Sequence, residues 1–222
     1  IASLWVGMSV CIPTYMLAAS MIGAGMTWRA ALVAILLGNA IVLVPMIINA
    51  HAGTRYGIPF PVLARASFGT RGAHLPSLLR SVVACGWFGI QTWIGGLAID
   101  AIVGALWPAW KDLGGGARFM GYGLPQYLGF FAFWCINMYF VWAGTESIKW
   151  METLSAPFLI VVGLALLYWA ASRVGGLGAI LRQADALGSA SGPGQSWIAL
   201  FIPWVTAMVG CWATLALNIP DF

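Results

Sequence analysis

The chain has 222 residues, of which 61% are hydrophobic and only 7% are charged, and its formal net charge is +4. A soluble globular domain carries roughly a quarter charged residues, so this composition cannot cover a water-facing surface. The ten basic residues are scattered through the polar segments, and we therefore expect no nucleic-acid partner. The composition indicates a protein whose partner is the lipid bilayer.

Six stretches without Asp, Glu, Lys or Arg are long enough to cross a bilayer, which takes about 20 apolar residues. A charge at the centre of a span costs ~2.5–3.5 kcal/mol, so uncharged runs of this length are informative. The runs show no alternation of apolar and polar residues, which argues against a β-barrel. We predict an all-α, polytopic membrane protein with a single transmembrane domain over residues 1–222 and spans at about 3–26, 30–50, 81–102, 125–143, 155–172 and 197–219.

Two features of the chain ends predict a fragment. The sequence begins with Ile1 rather than Met, already at the start of a span, and it stops at Phe222, directly after the sixth predicted span. We therefore expect further C-terminal spans of the same protein.

The segment at about 51–80 is too polar to span. It holds four arginines and no acid, and this dense basic block favours the cytoplasmic side for the segment. Its prolines and glycines predict at most one short helix, near Pro61–Ser67. After the fifth span, we predict a Gly/Ser-rich connection up to about residue 195.

Helix breakers lie inside the first and sixth spans: Gly7 and Pro13 in the first, Pro203 and Gly210 in the sixth. Opened helices in transporters with inverted repeats form the ion and substrate sites near the midplane. If five spans make one repeat, spans one and six correspond, and both are predicted to open. The alternative is that these residues reflect the general frequency of Gly and Pro in membrane helices.

Trp87 and Gln91 are four residues apart in the third span and therefore share one helix face. An indole ring beside an amide suits a flat heterocycle with adjacent N–H and C=O groups, because the ring stacks and the amide donates and accepts. Trp212, in the sixth span, could stack on the other face of such a ligand. The alternatives are an interhelical hydrogen bond for Gln91 and simple packing for both tryptophans.

Other polar residues give weaker signals. Asp100 and Asp221 lie near span ends, where we expect them to be hydrated. No catalytic motif is found, and no acidic or histidine cluster, so we predict that the protein is not an enzyme. The four cysteines lie in apolar runs without metal-ligand spacing, and we expect no metal site other than one for a coupling sodium ion.

Several long motifs occur in an order that resembles the nucleobase–cation symporters, a family that includes hydantoin, allantoin, uracil and cytosine permeases. The motifs are Gly57–Gly69 (GIPFPVLARASFG), Arg80, Gly86–Gly96 (GWFGIQTWIGG), Gly144–Trp150 (GTESIKW) with Ala156–Pro157, and Asn218–Phe222 (NIPDF). The resemblance covers nearly the whole chain. It implies a leucine-transporter-like fold of two inverted five-helix repeats, of which about six helices are present here.

The resemblance also implies a function: symport of a heterocyclic small molecule with sodium or protons by alternating access, in a cell membrane of the plasma or bacterial inner type, with no other cofactor. By motif match, Trp87, Gln91 and Trp212 contact the substrate. Cys211 stands where a small residue is expected, and its side chain would alter the pocket. Backbone carbonyls near Met8 and Cys11 bind the cation. The remaining ligands are expected on an eighth span. The alternatives are an amino-acid or amine symporter of the same fold and a non-transporting membrane protein.

Overall fold

The computed structural model describes residues 2–189 and 197–221, which are almost entirely helical. A two-stranded antiparallel hairpin, β1 (Arg118–Phe119) and β2 (Tyr122–Gly123), and the 3-10 turns Pro108–Asp112 and Ile219–Asp221 complete the described elements. The helices in chain order are α1 (Ala2–Ser9), α2 (Ile12–Gly23), α3 (Trp28–Tyr56), α4 (Phe60–Gly72), α5 (His74–Leu106), α6 (Leu124–Ala143), α7 (Thr145–Val174), α8 (Leu177–Ser189) and α9 (Trp197–Asn218).

Within the described residues, five helical segments are long and apolar enough to cross a membrane: Trp5–Gly23, Trp28–Tyr56, His74–Leu106, Glu146–Val174 and Trp197–Asp221. They coincide with five of the six predicted spans. The remaining one, at 125–143, coincides with α6, a 20-residue helix. Its two side-chain amides, Gln126 and Asn137, and its tyrosines and tryptophans lower its mean hydropathy. That α6 crosses the membrane therefore stays a prediction.

The polar segment at 51–80 is more helical than predicted. Helix α3 continues to Tyr56 and ends at Gly57, whose φ of 64° gives a left-handed cap. Helix α4 then runs from Phe60, and α5 begins at His74. The prediction was wrong because the prolines of this segment occupy helix starts, where a missing N–H costs nothing.

The connection after the fifth span was also predicted incompletely. Helix α8 occupies Leu177–Ser189, with Ile180 and Leu181 beside the polar Arg182 and Gln183. It packs against α2 and α3. The rest of the predicted connection, residues 190–196, lies outside the described residues. The prediction treated the whole connection as irregular because of its Gly/Ser content and so missed the helix α8.

The chain forms two compact units. Unit 1 comprises Ile1–Leu4 and Ala84–Ala156, and unit 2 comprises Trp5–Val83 and Pro157–Phe222. Within unit 1, α5 and α6 approach closely at glycines: a Cβ on Gly96 would lie 2.6 Å from the backbone N and Cα of Phe130. The ring of Trp93 packs edge-on against Tyr122, with centroids 4.7 Å apart. Small residues thus permit a backbone-to-backbone helix contact beside an aromatic cluster.

Unit 2 is organised by α3 and α9, which run in the same direction. A Cβ on Gly38 would lie 2.7 Å from the Cβ of Met208, which is almost fully buried. Further along both helices, Asn49 Nδ2 donates to the carbonyl of Ala216 at 2.9 Å. The buried residues of this contact and of the adjoining α2 are Met21, Met26, Ala31, Ala34, Val42, Met46, Phe201, Met208 and Ala216. The direction of the two helices places their C-terminal ends together.

Candidate functional site

The first span is broken in the middle, as predicted. Helix α1 ends at Ser9 and α2 begins at Ile12, with Cys11 between them in an extended conformation (φ −135°, ψ 157°). The cause is local: Pro13 has no N–H to bond the Ser9 carbonyl, and its ring clashes with a helical carbonyl four residues earlier. Gly7 stays within α1, so the break follows from the proline.

The break leaves carbonyl oxygens available. No backbone N–H among the described residues bonds to the carbonyl oxygens of Gly7, Met8 or Ser9. The Met8 oxygen instead accepts a weak hydrogen bond from Cys11 Sγ at 3.2 Å, and Sγ also lies 3.1 Å from Thr14 Oγ1. Carbonyl oxygens of unwound helices suit a small hard cation, whereas a thiol sulfur does not. The fit therefore rests on the backbone oxygens and the Thr14 hydroxyl.

The sixth span is not broken, contrary to the prediction. Helix α9 is continuous from Trp197 to Asn218, through both Pro203 and Gly210. Pro203 removes only the bond that its own N–H would have made, and Gly210 keeps a helical conformation. In membrane helices such a loss is tolerated because neighbouring groups satisfy the freed carbonyl. A break in α9 was inferred from residue types alone, and these are compatible with a continuous helix.

Trp212 lies on the face of α9 that packs against α3. Its ring contacts both buried clusters of unit 2, the one around Met208 and the one around Ala216. Its indole Nε1 is buried and has no hydrogen-bond partner among the described residues. The neighbouring Cys211 is half-buried. The Trp212 ring therefore packs against α3, as the packing alternative expected, while its indole N–H remains free to donate a hydrogen bond.

Trp87 and Gln91 lie one turn apart on α5, in unit 1. Trp87 is half-buried and Gln91 is exposed, and Gln91 makes no hydrogen bond within the described part of the chain. Thr92, the residue after Gln91, is buried and donates to the Phe88 carbonyl at 2.7 Å within the same stretch of helix. The interhelical bond considered as an alternative for Gln91 is therefore absent from these residues. Met8, Cys11, Cys211 and Trp212 belong to unit 2.

Both acids that were expected to be simply hydrated have protein partners. Asp221 Oδ1 accepts a hydrogen bond from the Phe60 N–H at 2.9 Å, and its Oδ2 forms an ion pair with Arg80. Asp100 Oδ1 accepts a hydrogen bond from Trp110 Nε1 at 2.7 Å. The Asp221–Arg80 pair could have been inferred from the sequence. Asp221 ends the sixth span, which by alternation ends on the same side of the membrane as the arginine-rich segment at 51–80.

A cavity of about 360 Å³ lies in unit 1, at the loop between α5 and α6. Its charged and amide groups belong to Asp100, Lys111, Arg118 and Gln126, and the rest of the lining consists of glycines and of Leu113, Ala117 and Pro125. Gln126 is fixed because its Oε1 accepts a hydrogen bond from Gly123 N at 2.6 Å. None of the predicted site residues lines this cavity.

Comparisons with known proteins identify the family of the chain. A family model for permeases of cytosine/purines, uracil, thiamine and allantoin matches residues 1–222. The chain is 44% identical to the purine-uracil permease NCS1 of Arabidopsis thaliana and 38% identical to the allantoin permease of Bacillus subtilis (strain 168). It is covered completely in both matches but spans only 36% and 44% of those relatives' lengths.

The fold is similar to that of Mhp1, a nucleobase-cation-symport-1 family transporter solved in a closed conformation with bromovinylhydantoin bound. The TM-score is 0.75 at 27% sequence identity, over 99% of this chain and 43% of Mhp1. This match confirms the predicted all-helical, multi-pass fold of the leucine-transporter type. With the family match over its whole length, the chain belongs to the family of permeases for cytosine/purines, uracil, thiamine and allantoin.

Proposed function

We propose that the native protein is a secondary active transporter that takes up a nucleobase or a related heterocycle or ureide together with a cation, by alternating access. The substrate class is that of allantoin, hydantoin, uracil and cytosine. The membrane is a cell membrane of the plasma or bacterial inner type. The observation that carries the proposal is the broken first span, in a chain whose family consists of permeases.

The cation, Na⁺ or H⁺, is proposed to act at the break. An opened helix within a membrane leaves carbonyl oxygens that must be satisfied. The oxygens of Met8 and Ser9 receive no backbone N–H among the described residues, and the Thr14 hydroxyl lies beside Cys11. A Na⁺ ion bound there would satisfy them electrostatically. If protons are the coupling ion, the carbonyl oxygens of the same break would accept hydrogen bonds from a hydronium ion.

The substrate is proposed to contact Trp87, Gln91 and Trp212, with Cys211 limiting the available space. Gln91 supports this assignment because its amide is exposed on a membrane helix without a partner in the described residues. Such a group is costly in an apolar surrounding unless it binds something. Trp212 supports it differently, since its buried indole N–H is a free donor that a substrate carbonyl would satisfy.

The test is uptake of labelled allantoin, hydantoin, uracil and cytosine by cells that express the native protein. One of these compounds should accumulate in a cation-dependent manner. Gln91→Ala should raise the KM for that compound about tenfold or more, because losing a hydrogen-bonding partner for a buried polar ligand costs ~1–3 kcal/mol. Trp87→Ala should have a similar effect through lost stacking.

Matched controls are Trp142→Ala and Gln183→Ala. Trp142 is 93% exposed on α6, and Gln183 is exposed on α8. Both control variants should keep the native KM. Native uptake in both Gln91→Ala and Trp87→Ala would remove the site assignment while leaving transport itself intact. Uptake of amino acids in place of all four compounds would favour the alternative symporter class.

A further inference from the structure

Helix α4 lies at one end of unit 2, between α3 and the first turns of α5. Its 13 residues span at most about 20 Å, and the non-helical backbone at Gly69 (φ 70°, ψ 174°) kinks the helix, so it cannot cross the hydrocarbon. The helices that precede and follow it are long and apolar enough to cross. Helix α4 is therefore placed at the membrane surface, at the level of the lipid headgroups.

One face of α4 is attached to the protein. Phe60 and Ala64 are buried in a cluster with Ala73, against which Leu217 of α9 packs. Asp221 bonds to the Phe60 N–H at the start of the helix. Arg65, Phe68 and Arg71 are exposed, and Arg71 lies beyond the kink at Gly69. The buried contacts of Phe60 and Ala64 thus fix the first part of the helix against the protein while these side chains remain accessible.

The exposed face is strongly basic. Arg65 and Arg71 on α4 and Arg55 at the end of α3 are exposed and form no ion pair with any residue the structure describes. Arg80, the fourth arginine of the block, is already paired with Asp221. The first acidic residue in the chain is Asp100. Three guanidinium groups therefore remain without an anionic partner on this side of unit 2.

Exposed aromatic rings accompany these charges. Tyr56 is 64% exposed and lies under Arg55, whose Cζ is 5.9 Å from the ring centroid. Phe68 is 57% exposed. Aromatic rings favour the interface between hydrocarbon and water, and arginines there bind phosphate oxygens in a bidentate manner. We name the exposed side chains of Arg55, Tyr56, Arg65, Phe68 and Arg71 the arginine surface.

We propose that the arginine surface binds the phosphate headgroups of anionic phospholipids in the leaflet that faces α4. Charge complementarity selects this partner. Each basic residue beside a membrane span raises the affinity for anionic lipid about fivefold. Helix α3 carries Arg55, and the attached α4 carries Arg65 and, beyond its kink, Arg71, so lipid bound across these folded elements stabilises the folded protein. The inference concerns lipid and does not depend on the transported substrate.

The test measures the melting temperature of the purified native protein in neutral detergent during titration with phosphatidylglycerol or phosphatidylcholine. Phosphatidylglycerol should raise the melting temperature at a much lower concentration than phosphatidylcholine, and 0.5 M salt, on the order of a 4 Å Debye length, should abolish the difference. The triple variant Arg55→Gln/Arg65→Gln/Arg71→Gln should lose about a hundredfold in apparent affinity for phosphatidylglycerol.

Two further variants keep the result interpretable. The triple variant Arg29→Gln/Arg118→Gln/Arg173→Gln removes three exposed arginines elsewhere and should retain the native preference. Replacing Arg55, Arg65 and Arg71 by Lys keeps the charges and should retain most of the binding, which separates lost binding from lost folding. Equal preference for phosphatidylglycerol in the native protein and the first triple variant would overturn the proposal. An identical rise with inorganic phosphate alone would also overturn it, because the site would then take a free anion.

Discussion

The carboxylate of Asp221 joins the end of α9 to Arg80 of α5, with which it forms an ion pair, and to the first N–H of α4, that of Phe60, at 2.9 Å. Helix α4 needs this acceptor because Pro59, at its N-cap position, has no side-chain oxygen to offer. A cation–π contact strengthens this junction, since the Cζ of Arg80 lies 5.1 Å from the centroid of the Phe60 ring. One residue therefore caps a helix and neutralises a half-buried guanidinium.

Substitutions at Asp221 should separate these two roles. Asp221→Asn keeps a capping oxygen for Phe60 but loses the charge, whereas Asp221→Ala loses both. Loss of a helix cap costs about 1 kcal/mol, and the unpaired Arg80 adds to this. We expect melting temperatures of the purified protein to fall in the order native, Asn variant, Ala variant.

The matched control for the ion pair is Glu146→Ala. Glu146 and Lys149 form a pair at 2.7 Å, with side chains 84% and 68% exposed. Exposed pairs contribute little to stability, so this variant should melt as the native protein does. Equal melting of Asp221→Ala and Glu146→Ala would show that the junction at α4 is not stabilising.

Two adjacent glycines of α5 should respond very differently to alanine. A Cβ on Gly96 would meet the backbone of Phe130 at 2.6 Å, whereas the three atoms nearest to a Cβ on Gly95 all belong to the ring of Phe133. A ring can rotate away, but the backbone of a packed helix cannot. Overpacking costs ~1–3 kcal/mol, so Gly96→Ala should lower the melting temperature markedly and Gly95→Ala should do so less.

Two variants check the explanation for the glycines. Adding Phe133→Ala should rescue Gly95→Ala but not Gly96→Ala. Gly86→Ala, where nothing lies within 4 Å of the added Cβ, should be neutral or stabilising, since alanine favours a helix. If all three single variants melt alike, helix α5 does not approach α6 as closely as described.

The features that could be predicted from sequence are those decided locally. Helix length follows from uncharged runs, and the break at Cys11 follows from the missing N–H of Pro13. The same reasoning failed at Pro203, because the penalty at a proline depends on what surrounds the helix. A proline removes one backbone hydrogen bond wherever it lies, but its surroundings decide whether the helix also opens there, as it does at Pro13 and does not at Pro203.

Contacts between distant residues could not be predicted in this way. Arg80 and Asp221 are 141 positions apart, and each lies in a segment that reads as a hydrated loop or span end. Their meeting depends on α3 and α9 running in the same direction and packing closely, and small residues such as Gly38 permit the close packing. Trp212 was likewise identified from its position in a motif, whereas its packing against α3 depends on the face of α9 that it occupies.

The broken first span gives a prediction for the cation. Pro13→Ala restores an N–H that can bond the Ser9 carbonyl, so the two helices should merge and the carbonyl oxygens should become occupied. The concentration of Na⁺ or H⁺ that gives half-maximal uptake should rise about tenfold, equivalent to ~1.4 kcal/mol. The measurement is substrate uptake by cells expressing the native protein and the variant, at varied Na⁺ and at varied pH.

Pro45→Ala is the control for this change. Pro45 lies inside α3, which is a continuous helix despite the proline. Its replacement should leave the cation dependence as in the native protein. An unchanged cation dependence in Pro13→Ala would place the coupling ion away from the break.

Two half-buried tryptophans whose indole N–H groups lack a hydrogen-bond partner in the described part of the chain allow a last separation of packing from binding. The indole Nε1 atoms of Trp28 and Trp212 are both buried and unbonded among the described residues. Phenylalanine preserves most of the ring packing and removes the donor. Trp28→Phe and Trp212→Phe should therefore lower the melting temperature only by the small amount expected from the smaller ring. If the Trp212 N–H binds a substrate carbonyl, Trp212→Phe should raise the KM for uptake about tenfold, whereas Trp28→Phe should leave it unchanged. A native KM in Trp212→Phe together with a normal melting temperature would assign Trp212 to the contact between α3 and α9 alone.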